Sequence, residues 1–293
     1  ILGGMSQHGK RWALAAAAAA VALASGTLAA CGGSSSSDTP AAADVALPKV
    51  SPSDYGANTA TDRNRFFPLK PGSQSVRLGK VNRGSRRLAH RRVTTVTDVF
   101  KVIDGVRAVT LLDQDFDGGQ IAEQALDFLA VDRRGTVSYL GSYTEAYEGG
   151  QFVNANDGWL AGVRGAKAGT WMLAKPRVGS PAYTQEDHPG SEPTIAKVVR
   201  TGIKQCVPFK CYSGVLVIEE GGSENKYFAP GVGGIRTEPK GGGEQETEEL
   251  INLTRLSRRG LAELSAEALK LDRHARSTVP DVFGSSKRAA RGR

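Results

Sequence analysis

Three sets of residues in this chain are of types that do chemistry. The first is Asp113-Gln114-Asp115-Phe116-Asp117-Gly118. Alternate carboxylates ahead of a glycine let oxygen ligands converge on a hard cation, so Asp113, Asp115 and Asp117 match the first half of a calcium loop. The second half departs from that pattern. Its apolar residue falls one place late, at Ile121, and the closing position holds Gln124 instead of Glu. The competing reading is an acidic hairpin tip. The second set is basic: Arg77, Lys80, Arg83, Arg86, Arg87, Arg91 and Arg92, with His90, run without an intervening acid. Such a run attracts anionic surfaces through its long-range field. Arg83, Arg86, Arg87, Arg91 and Arg92 are therefore candidates for anionic-surface binding, the alternative being a solvated hairpin. The third set is His90, His188 and His274. A catalytic base must reach a nucleophile. His188 is flanked by carboxylates in Glu186-Asp187-His188-Pro189-Gly190, which a turn also explains. Gly-x-Ser-x-Gly and HExxH patterns are absent, so no catalytic residue is assigned and no enzyme is expected.

The cysteines are Cys31, Cys206 and Cys211. The segment before Cys31 has the layout of an export signal read from Met5. Lys10 and Arg11 form a cationic patch, and Trp12 to Ala24 form a short, alanine-rich apolar run. That run is shorter and less apolar than a membrane span of roughly 20 residues requires. It closes on Leu28-Ala29-Ala30-Cys31, which resembles the lipobox of bacterial lipoproteins. The resemblance implies lipid on Cys31, which becomes the mature N-terminus; the alternative is ordinary cleavage near Ala30 that leaves a free thiol. Residues 1–30 carry Lys10 and Arg11 and no acid, so their removal takes the formal charge from +8 to +6. An exported chain sits where disulfides persist. Cys206 and Cys211 are read as a disulfide closing a small loop over Pro208, with a half-coordinated zinc site or two reduced thiols as alternatives. The expected location is extracytoplasmic, at the cell envelope. The expected anionic partners are then lipid head groups or envelope polysaccharide, and nucleic acid is a poor candidate because the basic run lacks interleaved aromatics.

These residues need elements to position them. Residues 31–62 are rich in Gly, Ser, Ala and Pro and read as a flexible tether. From Arg63 to about 254, short runs of Val, Thr, Ile, Leu and aromatics alternate with Gly, Asp and Asn. Asp104-Gly105, Asp115 to Gly119 and Asp132 to Gly135 read as hairpin tips. No long helical pattern interrupts them, which argues against parallel β-α-β layering. The expected fold is mainly β, a single antiparallel curved sheet or a partly open barrel or sandwich. One amphipathic helix over 255–277 follows. Leu261, Leu264, Ala268, Leu271 and Ala275 share a face, either to cover the sheet or to bind a partner or membrane. Residues 278–293 read as a basic disordered tail. Trp159 and Trp171 bracket a glycine-dense stretch that could line a ligand cleft or plug the core beside tight turns.

The run Asn64-Arg65-Phe66-Phe67-Pro68-Leu69-Lys70-Pro71-Gly72 resembles the opening of a family of uncharacterised bacterial secreted proteins and lipoproteins. The resemblance continues in Asp132 to Gly141, Trp159 to Pro176, Tyr183-Thr184-Gln185-Glu186 and Lys226-Tyr227-Phe228-Ala229-Pro230-Gly231-Val232-Gly233. It implies one β-rich envelope domain, with a curved sheet like those of lipoprotein carriers. The chain departs from the family after Gly72, where Gln74-Ser75-Val76-Arg77-Leu78 replaces an aromatic-rich strand. The functional expectation is a non-catalytic envelope lipoprotein that binds an apolar or anionic ligand or a protein partner, with no cofactor beyond the calcium reading. The alternatives are a secreted enzyme with an unrecognised site and a structural calcium module.

Overall fold

The computed structural model describes residues 45, 48, 50–241 and 245–292. Cys31, the export segment and most of the expected tether lie outside the described residues.

Alternating β-branched and aromatic residues build two antiparallel meanders. The first comprises β1 (Ser73–Arg83), β2 (Arg86–Ile103), β3 (Val106–Asp117), β4 (Gln120–Val131), β5 (Val137–Glu148) and β6 (Gln151–Leu160). A short strand, β7 (Gly169–Met172), returns along the start of β5. The second comprises β8 (Tyr183–Glu186), β9 (Thr194–Cys206), β10 (Cys211–Glu220), β11 (Glu224–Ala229), β12 (Gly233–Pro239) and β13 (Glu246–Arg255). Between β2 and β3 the turn is Asp104-Gly105, with φ of 45° and 76°. Both residues are left-handed, as a tight two-residue hairpin turn requires.

The two meanders join where β1 pairs antiparallel with β13. Gly79 permits this seam, because a Cβ there would fall 1.6 Å from the Thr247 carbonyl oxygen. The result is one large antiparallel open sheet, mainly β as expected. It curls until its two edges meet at one point. There Lys167 and Asp187 form an isolated bridge, and Gln185 Nε2 donates to the Trp171 carbonyl at 3.3 Å.

Helix α1 (Arg258–Thr278) lies over β2, β3, β4 and β6. Ser257 caps it by accepting from the Gly260 amide, and Ala268, Leu271 and Ala275 are its buried apolar face. The helix thus covers the sheet, the plainer of the two readings. It packs onto the main core, where Phe128, Tyr143 and Phe283 meet as tilted and edge-to-face rings. A smaller cluster including Val215, Val217, Ile235 and Leu250 carries Val207 and Tyr212 from the β9–β10 hairpin. Cys206 and Cys211 are register partners across that hairpin and form a disulfide. No helix among the described residues is long and apolar enough to cross a membrane.

Two expectations change. The domain starts earlier than residue 63. Tyr55 and Thr59 are buried, Tyr55 donating to Ser138 Oγ at 2.7 Å and Thr59 Oγ1 to the Arg107 carbonyl at 2.5 Å. The basic tail is docked. After α2 (Pro280–Phe283), strand β14 (Ala290–Arg291) pairs with β2, and Arg291 forms an ion pair with Asp98 at 2.6 Å. Composition alone suggested disorder; a free strand edge and one carboxylate on β2 give the tail its place.

Candidate functional site

The aspartates and the basic run are one structure. In the β2–β3 ladder His90 faces Asp117, Arg92 faces Asp115 and Thr94 faces Asp113. Side chains two apart on a strand share a face, so two complementary charge rows meet. Arg92 Nε and Nη2 bind Asp115 in a fork at 2.7 and 2.9 Å. Arg83 Nε donates to Asp117 Oδ2 at 2.8 Å, and His90 Nδ1 lies 2.8 Å from Asp117 Oδ1. Thr94 Oγ1 donates to Asp113 Oδ1 at 2.5 Å.

Strand β13 brings two glutamates that the sequence reading did not single out. Glu248 Oε1 lies 3.0 Å from Arg92 Nη1 and Glu248 Oε2 lies 3.0 Å from Arg77 Nε. Glu246 Oε1 lies 3.3 Å from Arg92 Nη2. His90, Arg92, Asp115 and Glu248 are all less than 5% exposed. Two corrections follow. The basic run is not unopposed: Arg83 and Arg92 are spent in ion pairs with Asp117 and Asp115, and Lys80, Arg86, Arg87 and Arg91 are its exposed members, with Arg91 stacked 3.9 Å from the Phe116 ring. The aspartates are not in a calcium loop: they lie along extended β3, each facing a β2 partner.

Five carboxylates (Asp113, Asp115, Asp117, Glu246, Glu248) here face three guanidiniums (Arg77, Arg83, Arg92) and one imidazole. Burial alone would lower the His90 pKa, but the Asp117 hydrogen bond and the close carboxylates of Glu248, Glu246 and Asp115 raise it to about 10. Burial pushes Glu246 up to about 8 against the pull of Arg92. Burial would also raise Glu248, yet Arg92 and Arg77 hold it well below the ordinary range. Such a network is stable only when its charges balance.

The cluster forms one wall of an interior cavity of about 110 Å³. Six carboxylates line it (Asp113, Glu123, Asp127, Glu186, Glu220, Glu248) against four cations (Arg77, Arg92, Lys226, Arg236). Part of the lining is aromatic: Phe67, Tyr139, Trp171 and Phe228. Tyr139 and Phe67 each pack against Trp171, with centroids 4.9 and 5.7 Å apart. Asp127 Oδ1 accepts from Tyr139 Oη at 2.6 Å and Ser142 Oγ at 3.2 Å. Burial, reinforced by Asp113, pushes Asp127 up to about 7. Trp171 Nε1 and Gln185 Oε1 are buried atoms on this lining without a hydrogen-bond partner among the described residues.

Of the two tryptophans, Trp171 lines the cavity and Trp159 is a core plug, 2% exposed. His188 stacks on Trp159 with centroids 5.5 Å apart and bonds Glu186 Oε1 at 2.8 Å. His274 bonds buried Glu145 at 2.6 Å from α1. Asn64, from the opening motif, is buried; its Nδ2 donates to the carbonyls of Gly135 and Leu173 at 2.7 and 3.0 Å. It fixes the approach of Phe67 to the cavity.

No family model, no curated protein and no solved structure matches the chain.

Proposed function

We propose that this protein is a lipid-anchored, extracytoplasmic binding protein without catalytic activity, whose curled sheet holds a small cation-bearing ligand. The cavity lining carries the reading. Six carboxylates against four cations leave an acidic excess, so the lining favours a positive guest over an anionic one. Rings beside carboxylates attract ammonium groups through their negative faces. The unpartnered Trp171 donor and Gln185 acceptor suit a ligand that also carries a hydroxyl. A cavity near 110 Å³ limits the guest to a compact ion; for scale, an apolar cavity of about 150 Å³ holds benzene. An acyl chain is poorly served by so many charges.

Choline is a suitable probe, with butyrate as the anionic control. Isothermal titration should show saturable one-to-one binding of choline and none of butyrate. Trp171→Ala removes about 1 kcal/mol of cation–π attraction and should weaken binding several-fold. Equal binding of butyrate, or no heat with choline, would overturn the ligand class. The anchor has its own test. Cys31→Ser should move the protein from the membrane fraction to the soluble one, and continued membrane retention would reject lipidation.

A further inference from the structure

The geometry points to a transition-metal site at the β2–β3–β13 seam, in which His90 Nε2, Asp115, Glu248 and Glu246 bind one divalent first-row ion such as zinc. His90 Nε2 is buried among carboxylate oxygens yet makes no well-directed hydrogen bond, and Glu248 Oε1 is held by the Arg92 ion pair alone. The nitrogen lies 3.3 Å from Glu248 Oε1, 3.7 Å from Glu246 Oε2 and 3.9 Å from Asp115 Oδ1. Donor atoms around a tetrahedral ion with bonds of about 2.1 Å sit about 3.4 Å apart. Measured from the nitrogen, these spacings run from about 0.1 Å under to about 0.5 Å over that value, and the His90, Asp115 and Glu248 donor atoms lie within 4.8 Å of one another, so a small inward shift closes the shell.

The other ring nitrogen supports the assignment. His90 Nδ1 meets Asp117 Oδ1 at 2.8 Å, and Arg83 holds the same carboxylate. A carboxylate on the far nitrogen is the arrangement that orients metal-bound imidazoles. Arg92 touches Asp115 Oδ1 and Glu248 Oε1 as well. Each carboxylate oxygen has two lone pairs, so Arg92 leaves one on each for the ion on the His90 side. Charge agrees: ligands coordinate deprotonated and release their protons on binding, and a neutral imidazole with five carboxylates and three guanidiniums then leaves two negative charges for a divalent cation to cancel. One imidazole with carboxylates suits zinc, manganese or ferrous iron better than calcium or magnesium.

The test uses the full chain, purified without a histidine tag and stripped with chelator. Titration with zinc chloride, followed by elemental analysis, should give one ion per chain, and melting should rise by several degrees. The cobalt-loaded protein should show visible bands of a low-symmetry nitrogen–oxygen site. His90→Gln should abolish saturable binding, and Asp117→Asn should weaken it by about 10- to 100-fold. If His90→Gln does not fold, Glu246→Gln at the more exposed rim and the His90 imidazole resonances on zinc addition decide the matter. Undiminished binding in Glu246→Gln, or unshifted His90 resonances, would overturn the site, as would no retained metal. His188→Ala should bind zinc as the parent does; loss there would also overturn it. Choline binding by the stripped protein keeps the fate of the cavity reading separate.

Discussion

Asp127 holds its proton more tightly in the folded chain than in the unfolded one. Burial raises its pKa from 3.8 to about 7, with Asp113 adding to the rise and the Tyr139 and Ser142 hydrogen bonds opposing it. Below pH 4 the carboxyl is protonated in both states and has no differential effect. Between pH 4 and 7 the folded state binds the extra proton, so this group makes stability fall as pH rises. Above pH 7 the full penalty is present, at most about 4 kcal/mol for a shift near three units. Asp127→Asn, a mimic of the neutral form, should therefore be more stable than the parent above pH 7 and equal to it near pH 4. Urea unfolding of both proteins at pH 4 and pH 8.5 checks this, and an equal gain at both values would sink it. The same substitution should weaken choline binding at pH 8.5, where the parent carboxylate is charged. Stability and ligand affinity thus pull Asp127 in opposite directions, as expected of a group kept for binding.

At the scale of elements, α1 is bolted to the sheet by one buried ion pair. Lys101 on β2 is 0% exposed, with Nζ 2.8 Å from Asp272 Oδ1 and 2.7 Å from the Lys287 carbonyl. Burial lowers the Lys101 pKa, against the pull of Asp272. Asp272→Ala strands a cation between the Phe128 and Phe283 rings, where Nζ lies 5.9 and 5.6 Å from the centroids. It should cost about 3–5 kcal/mol. The pair Lys101→Met with Asp272→Leu should recover most of that loss, because it removes the charge with its partner. Thermal unfolding of the single and double variants measures the difference. The apolar face of α1 was legible from its spacing, but this pair was not, since Lys101 and Asp272 join elements far apart in the chain. A similar limit explains the misread charge rows. Alternating cations at 90 and 92 and acids at 113, 115 and 117 are readable as two faces of a hairpin around Asp104-Gly105. Extending the turn's register without a break would pair Arg92 with Asp117. The irregularity between Val96 and Phe100 shifts the partner to Asp115, and a bulge of that kind leaves no clear mark in composition.

For the whole molecule, fold class was legible because alternation and turn residues are local signals, whereas the cavity was not. Its walls come from residues as distant as Phe67 and Glu248 and exist only once β1 has paired with β13. The C-terminal segment shows the same contrast. Its basic composition argues for a free tail, but long-range contacts hold it. Ala290 and Arg291 pair with Phe100 and Val99, Arg291 forks onto Asp98, and the Ala289 amide donates to Asp272 Oδ2 at 3.0 Å. Arg276 on α1 adds bonds to the Phe283 and Ser286 carbonyls at 3.0 and 2.6 Å. Trypsin separates the two pictures, because cleavage requires a locally opened backbone. Arg86 and Arg87, both exposed, open β2 directly after the Gly84-Ser85 turn at the tip of the β1–β2 hairpin, and this tip should be cut first. Lys287 and Arg288 are also exposed, yet their backbone is anchored from both sides, so cuts there should lag well behind. A disordered tail would reverse that order. Asp272→Ala removes the Ala289 acceptor and loosens Lys101 together, so in that variant the tail sites should become as fast as the turn. Mass spectrometry of short digests of both proteins reads the order directly, and an unchanged lag in the variant would show that β14 pairing alone holds the tail.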